Sequence, residues 1–209
     1  GAEQPSYSAG AIPLGLSLFL MLLLPCRIGA EGLTPSVTIG TQTVGFTTGP
    51  LLPIRLLPGQ SSKLFGVATI PSWAMTLTDT IGSGWYQGQL GVGAELPTFR
   101  TAEPVTAYGI GVTPKLVYAF TTLSRLRFYV EGGGGPLWTD LGGRVPEQPG
   151  QFNFMVWGGA GLSWYFTPQW AVQAGYRFLH ISNGGTRNQN SGLNAGIPFI
   201  GLSFGFFSR

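Results

Sequence analysis

Residues 169–182, QWAVQAGYRFLHIS, decide how this chain folds. Trp170, Val172, Ala174, Tyr176 and Phe178 take every second position, and Gln169, Gln173 and Arg177 fall between them. A period of two is that of a β-strand, whose successive side chains point to opposite faces. The apolar face is large, aromatic and continuous. It is too bulky for the interior of a small soluble barrel. Turned outward to lipid, with the polar residues inward, it has the pattern of a transmembrane barrel.

The alternation recurs along the chain. Leu126, Phe128 and Val130 oppose Arg125, Arg127 and Glu131. Tyr86, Leu90, Val92, Ala94 and Leu96 oppose Gln87, Gln89 and Glu95, and Lys115 lies opposite Ile110, Val112, Leu116, Tyr118 and Phe120. Strand character falls near 36–48, 62–78, 84–96, 106–120, 125–135, 152–166, 169–182 and 195–207. No helical apolar stripe persists. The predicted fold class is all-β, an eight-stranded antiparallel transmembrane β-barrel. Closure leaves no unpaired strand edge in lipid. An interior filled by side chains excludes a general diffusion channel. Arg125, Arg127, Arg177, Lys115, Glu95 and Glu131 are expected to pair inside, where an isolated charge is costly. Glu131 reads as the partner of Arg127 or Arg177, and Trp73, Trp85, Trp138, Trp157, Trp164 and Trp170 read as girdle or packing residues.

The intervals between strands support the same fold. Longer ones at 49–61, 97–105, 136–151 and 183–194 alternate with shorter ones. With both termini periplasmic the longer set is external, as in outer-membrane barrels.

Composition excludes several function classes. Of 209 residues 34 are glycine and only 9% are charged, against about 25% in soluble domains. The net charge of +3 is scattered, so nucleic acid is not a partner. There is no Cys/His cluster for a metal, no phosphate-cradling loop and no dinucleotide fingerprint, and no cofactor is expected. The single cysteine, Cys26, excludes an internal disulfide framework. Residues 11–24, AIPLGLSLFLMLLL, have the length of a signal-peptide core and are short for a spanning helix. Pro25 stands before Cys26 where lipoprotein acylation wants a small residue. The expected organisation is a signal-peptide-like targeting segment at 1–30 and an outer-membrane barrel at 31–209.

His180 is the only histidine, and strand alternation puts Ser182 on its face, the lipid side, near the outer end of an outward-running strand. Polar groups at membrane depth are costly and usually functional. Ester cleavage needs a nucleophile, a base, a group orienting the base and donors for the oxyanion. Ser182 and His180 supply the first two; Asn183 and the Gly184-Gly185 backbone supply candidate donors. Spacing alone leaves two readings open. His180 is either half of a catalytic couple or a girdle residue beside a strand-ending serine.

The stretch GYRFLHISNGGTRNQNSGLN (175–194) resembles the signature of the lipid A 3-O-deacylase (PagL) family and its acyloxyacyl-hydrolase-like relatives. FYVEGGGGPLWTD (128–140), FNFMVWGGAGLSWYF (152–166) and FIGLSFGFFSR (199–209) resemble the same relatives, so the likeness spans about the last half of the chain. The resemblance implies an eight-stranded outer-membrane barrel and a serine esterase removing the 3-O acyl chain of lipid A. On the matching positions it implies His180 as base, Ser182 as nucleophile and Asn183 as oxyanion contributor. The implied partners are lipid A or lipopolysaccharide of the outer leaflet and the membrane itself; monomer and homodimer are both open. One position departs. Fourteen residues after the histidine the family commonly carries an acid, and here stands Asn194. Three outcomes follow: a slower enzyme oriented by Asn194, replacement of the acid by Glu147, or an inactive barrel with a structural or adhesion role. A soluble lipid-binding barrel is a further alternative.

Overall fold

The computed structural model describes residues 35, 37–54, 63–187 and 191–206. The targeting segment expected at 1–30, with Cys26, lies outside them. Ten strand segments follow in order: β1 Gln42–Pro53, β2 Phe65–Thr76, β3 Gly88–Glu95, β4 Thr98–Glu103, β5 Ala107–Gly111, β6 Thr113–Phe120, β7 Leu126–Thr139, β8 Phe152–Tyr165, β9 Trp170–Ser182 and β10 Leu193–Phe206. All pairings are antiparallel. β2 pairs with both β3 and β4, and β7 with both β5 and β6, so each of these pairs of segments is one stave. With β1 joined to both β10 and β2, eight staves close into a barrel. No described helix is long and apolar enough to cross a membrane.

The third stave departs from the expected interval pattern. The stretch 97–105, read as an external loop, is mostly strand, and its connection shrinks to 104–106. The compensating long connection, 77–87, falls at the opposite end and holds a short 3-10 turn, Gly84–Tyr86. Long and short connections therefore do not alternate strictly. Pro97 lacks the N–H a ladder requires, so it breaks the pairing without ending the stave. Leu96 N–H donates to the Pro71 carbonyl at 3.0 Å, and Pro97's own carbonyl accepts from Gly111 N–H at 2.9 Å.

The interior has two halves separated by a closed ion cluster. Lys115 Nζ lies 3.0 Å from Glu95 and 3.2 Å from Glu131. Arg177 lies 2.9 Å from Glu95 and 2.7 Å from Glu131, and its guanidinium stacks 4.3 Å from the Trp157 ring. Two cations meet two anions, which offsets the desolvation of all four. Arg125 and Arg127 do not join them, contrary to the sequence expectation. Arg127 instead donates to Gln89 Oε1 and the Pro35 carbonyl and faces the Tyr165 ring. It stands four residues nearer the start of β7 than Glu131, away from the mid-barrel carboxylates. Around it Ser163, Gln173 and Ser203 line a polar cavity of about 120 Å³, enough for several waters. The other half is apolar: Leu51, Phe99, Leu137, Met155, Leu179, Ile181 and Ile197 pack beneath the connection 140–151, whose Leu141 and Val145 are buried. The alternation suggests a lumen polar throughout; this half is instead mainly apolar, with Thr101, Thr139, Gln148 and Asn153 buried among the apolar side chains.

The outer wall carries Phe46, Val67, Leu116, Val130, Val156, Ile200 and Leu202, all exposed. Aromatics gather at both ends, with Phe128 and Trp138 on one strand marking the two girdles. Ten residues at about 3.3 Å each, tilted about 45°, span roughly 23 Å along the barrel axis. That matches the apolar band of an outer-membrane barrel, about 25 Å. Trp157 alone among the expected girdle tryptophans of the strands faces inward.

Candidate active site

Antiparallel register brings the site together. His180 on β9 stands directly opposite Asn194 on β10, so both side chains share the outer face. His180 Nδ1 lies 2.7 Å from Asn194 Oδ1. An amide oxygen only accepts, so with this amide orientation Nδ1 carries the proton and Nε2 is left with its lone pair. Ser182 ends β9 two residues further on the same face, about 6.6 Å along the strand. The His180–Ser182 edge is flanked on β8 by Val156 and Phe154, their ladder partners.

The turn beyond Ser182 is set by local chemistry. Asn183 is fully buried, and its Oδ1 accepts the Gly185 N–H at 2.9 Å. Its carbonyl accepts from the Thr186 backbone at 3.2 Å and from the Thr186 hydroxyl at 2.7 Å. Gly184 and Gly185 take φ of +63° and +79°, which residues with a Cβ rarely adopt. The pair therefore lets the chain reverse immediately after the serine. Gly185 N–H is already donated to Asn183, so it is not free for the donor role expected from sequence.

Two contacts were not legible in the sequence. A Cβ on Gly192 would stand 2.5 Å from His180 Cε1, so this glycine makes room for the imidazole. A Cβ on Gly196 would meet the Tyr176 hydroxyl at 1.8 Å, so the tyrosine ring lies across the glycine and walls the site on the β10 side. Glycine opposite an aromatic on a neighbouring strand is the only sequence trace of the second contact. Gly192→Ala adds a methyl both into the ring and at φ +67°, a strain of roughly 1–3 kcal/mol. It should displace the imidazole and remove the downfield Nδ1–H resonance from the proton spectrum, while strand content by circular dichroism stays unchanged. Retention of that resonance would show that the loop yields instead.

The remaining sequence candidates fall as follows. Glu147 is buried in the connection 140–151, and the Nδ1 position an acid would take is held by Asn194. Glu131 belongs to the ion cluster.

Comparison with known proteins gives a family and a fold. The family model described as lipid A 3-O-deacylase (PagL) matches residues 64–206. No curated protein matches the chain. Among solved structures, the outer membrane enzyme PagL is 21% identical, with 76% of this chain and 97% of that one covered and a TM-score of 0.54. Neisserial surface protein A is 16% identical, with 80% and 97% covered and a TM-score of 0.56.

Proposed function

The chain belongs to the lipid A 3-O-deacylase (PagL) family of the bacterial outer membrane, and from that premise we propose that it is a serine esterase releasing the 3-O acyl chain of lipid A. His180 Nε2 takes the Ser182 proton as Oγ attacks the ester carbonyl. Asn183 and the Gly184 N–H stabilise the oxyanion. Collapse breaks the ester bond, and His180 returns the proton to the sugar oxygen as it leaves. A water, deprotonated by the same nitrogen, then attacks the acyl-serine and frees the fatty acid. Asn194 holds the imidazole in the tautomer this sequence needs.

The observation that carries the reading is the His180–Asn194 hydrogen bond on the lipid-facing wall, with Ser182 on the same face. No soluble cleft is required: a lipid A molecule in the leaflet meets the serine laterally, and Phe154, Val156 and Tyr176 offer its acyl chains an apolar surface.

An amide cannot neutralise the imidazolium formed during attack. This favours one alternative, a catalytically impaired descendant with a structural or adhesion role. Lipid A incubated with the purified protein should lose one 3-hydroxyacyl chain from its 3-O position, read by mass spectrometry. Asn194→Asp keeps the 2.7 Å geometry and adds the missing charge, and a hydrogen bond to a charged group is stronger by about 1–1.5 kcal/mol. The variant should therefore be about tenfold faster, with the acid limb of its rate–pH profile moved to higher pH because the carboxylate stabilises the imidazolium. Activity appearing only in Asn194→Asp identifies the impaired descendant. Unchanged lipid A in both, with the barrels folded, refutes the esterase.

A further inference from the structure

We propose that the barrel wall opposite the His180 site binds a second lipid, holding the phosphate of an outer-leaflet glycolipid on Arg100. β4 is diametrically across the eight staves from β9. Along it Phe99 and Thr101 are buried, while Thr98, Arg100 and Ala102 alternate with them on the outer face. Arg100 is therefore a cation on a wall built to face lipid. Its one described partner is the Tyr108 ring, its direct ladder neighbour, with the guanidinium carbon 5.9 Å from the ring centre.

No carboxylate compensates it among the described contacts. Asp140 accepts the Tyr108 backbone N–H and pairs with Arg144 at 3.6 Å. Glu103 is exposed at the rim and takes part in none of the described ion pairs. An arginine facing lipid without an internal partner calls for an anion from outside, and a guanidinium matches phosphate with two parallel N–H donors.

The surroundings select a lipid over a free ion. Arg100 and Tyr108 line one end of a groove of about 790 Å³ that runs sideways across the wall to Val67 and Pro50, level with Arg100, and toward the rim to Phe65. One end thus suits a phosphate and the rest an acyl chain. Arg100 lies three residues from the end of its stave, about 10 Å along the strand and roughly 7 Å below the rim. That is headgroup depth, where an outward arginine is tolerated and snorkels toward the interface. The rim is the one Ser182 reaches, since both staves run the same way. The proposal rests on the barrel's place in the outer membrane and is independent of the esterase reading.

The test is native mass spectrometry of the detergent-released Ser182→Ala protein with bisphosphorylated lipid A, which keeps any substrate uncleaved. Arg100→Gln should carry one lipid A fewer than its parent at the same lipid concentration, with binding at that position weakened at least tenfold. Arg100→Lys should retain part of it, and Tyr108→Leu should weaken it through loss of the ring under the guanidinium. Dephosphorylated lipid A should give the parent the Arg100→Gln count. Equal counts for parent and Arg100→Gln overturn the proposal. So does displacement of the lipid by excess inorganic phosphate alone, which would mark a simple anion site. Loss of the esterase reading would remove a different adduct and leave this comparison intact.

Discussion

Ser182→Ala is expected to lower the rate of ester release from lipid A by a factor of about 10³ or more. Removing the nucleophile leaves binding and oxyanion stabilisation, which by themselves give a small residual rate. The barrel itself should not suffer. Ser182 is half-buried, ends β9 and takes no part in the interior packing or the ion cluster. His180→Ala should cost a similar factor, and the double variant little more than either single one, because nucleophile and base act as a unit. Initial rates in mixed micelles measure this, with the heat-dependent shift in electrophoretic mobility reporting that the barrel is folded. A Ser182→Ala rate within about twofold of the parent would return Ser182 to a strand-ending residue and His180 to a girdle position. Additive losses in the double variant would place the two in separate roles.

Arg177→Met should destabilise the folded barrel by about 3–5 kcal/mol, a factor of roughly 10² to 10³ or more in the unfolding equilibrium. The side chain is nearly inaccessible and touches both carboxylates of the cluster. Its removal leaves Glu95 and Glu131 sharing only Lys115, so one buried charge loses its counter-ion. The stacking of the guanidinium on Trp157 and Phe199 is lost with it. Methionine fills much of the volume, so the deficit is one of charge more than of space. Adding Glu95→Gln restores neutrality, with one cation against one anion, and should recover a large part of the loss. Urea titration followed by tryptophan fluorescence, in detergent of fixed composition, resolves both steps. A double variant no more stable than Arg177→Met would mean that shape, not charge balance, sets the role of Arg177.

Much of the barrel could be read without coordinates because each stave must satisfy two solvents at once. Lipid outside and a filled lumen inside force a period of two, and stretches such as 126–131 and 170–178 show it directly. Glu95, Lys115, Glu131 and Arg177 lie on inward positions by that count, and the ion cluster uses those four. The pattern fails where both faces are apolar. In Phe178–Ile181 and Leu193–Ile200 inward and outward side chains look alike, which hid the packed apolar half of the interior. It fails also at Pro97, since a proline that breaks a ladder and one that ends a strand are the same letter in the sequence. That is why the third connection was placed at 97–105 and found at 104–106.

The site divides in the same way. The chain alone determined that His180 and Ser182 share a lipid-facing edge near the outer rim, because two residues of separation on a strand admit no other geometry. Only the tertiary structure decided that Asn194 meets Nδ1 at 2.7 Å, that Gly192 lies against the imidazole, and that Arg100 faces lipid with no carboxylate partner among the described residues. Those facts depend on register between strands and on which connection folds over which rim. A one-residue slip between β9 and β10 would turn Asn194 inward without altering any residue's own strand preference. Alternation fixes the face along one strand; pairing energies summed over the closed barrel fix what stands opposite.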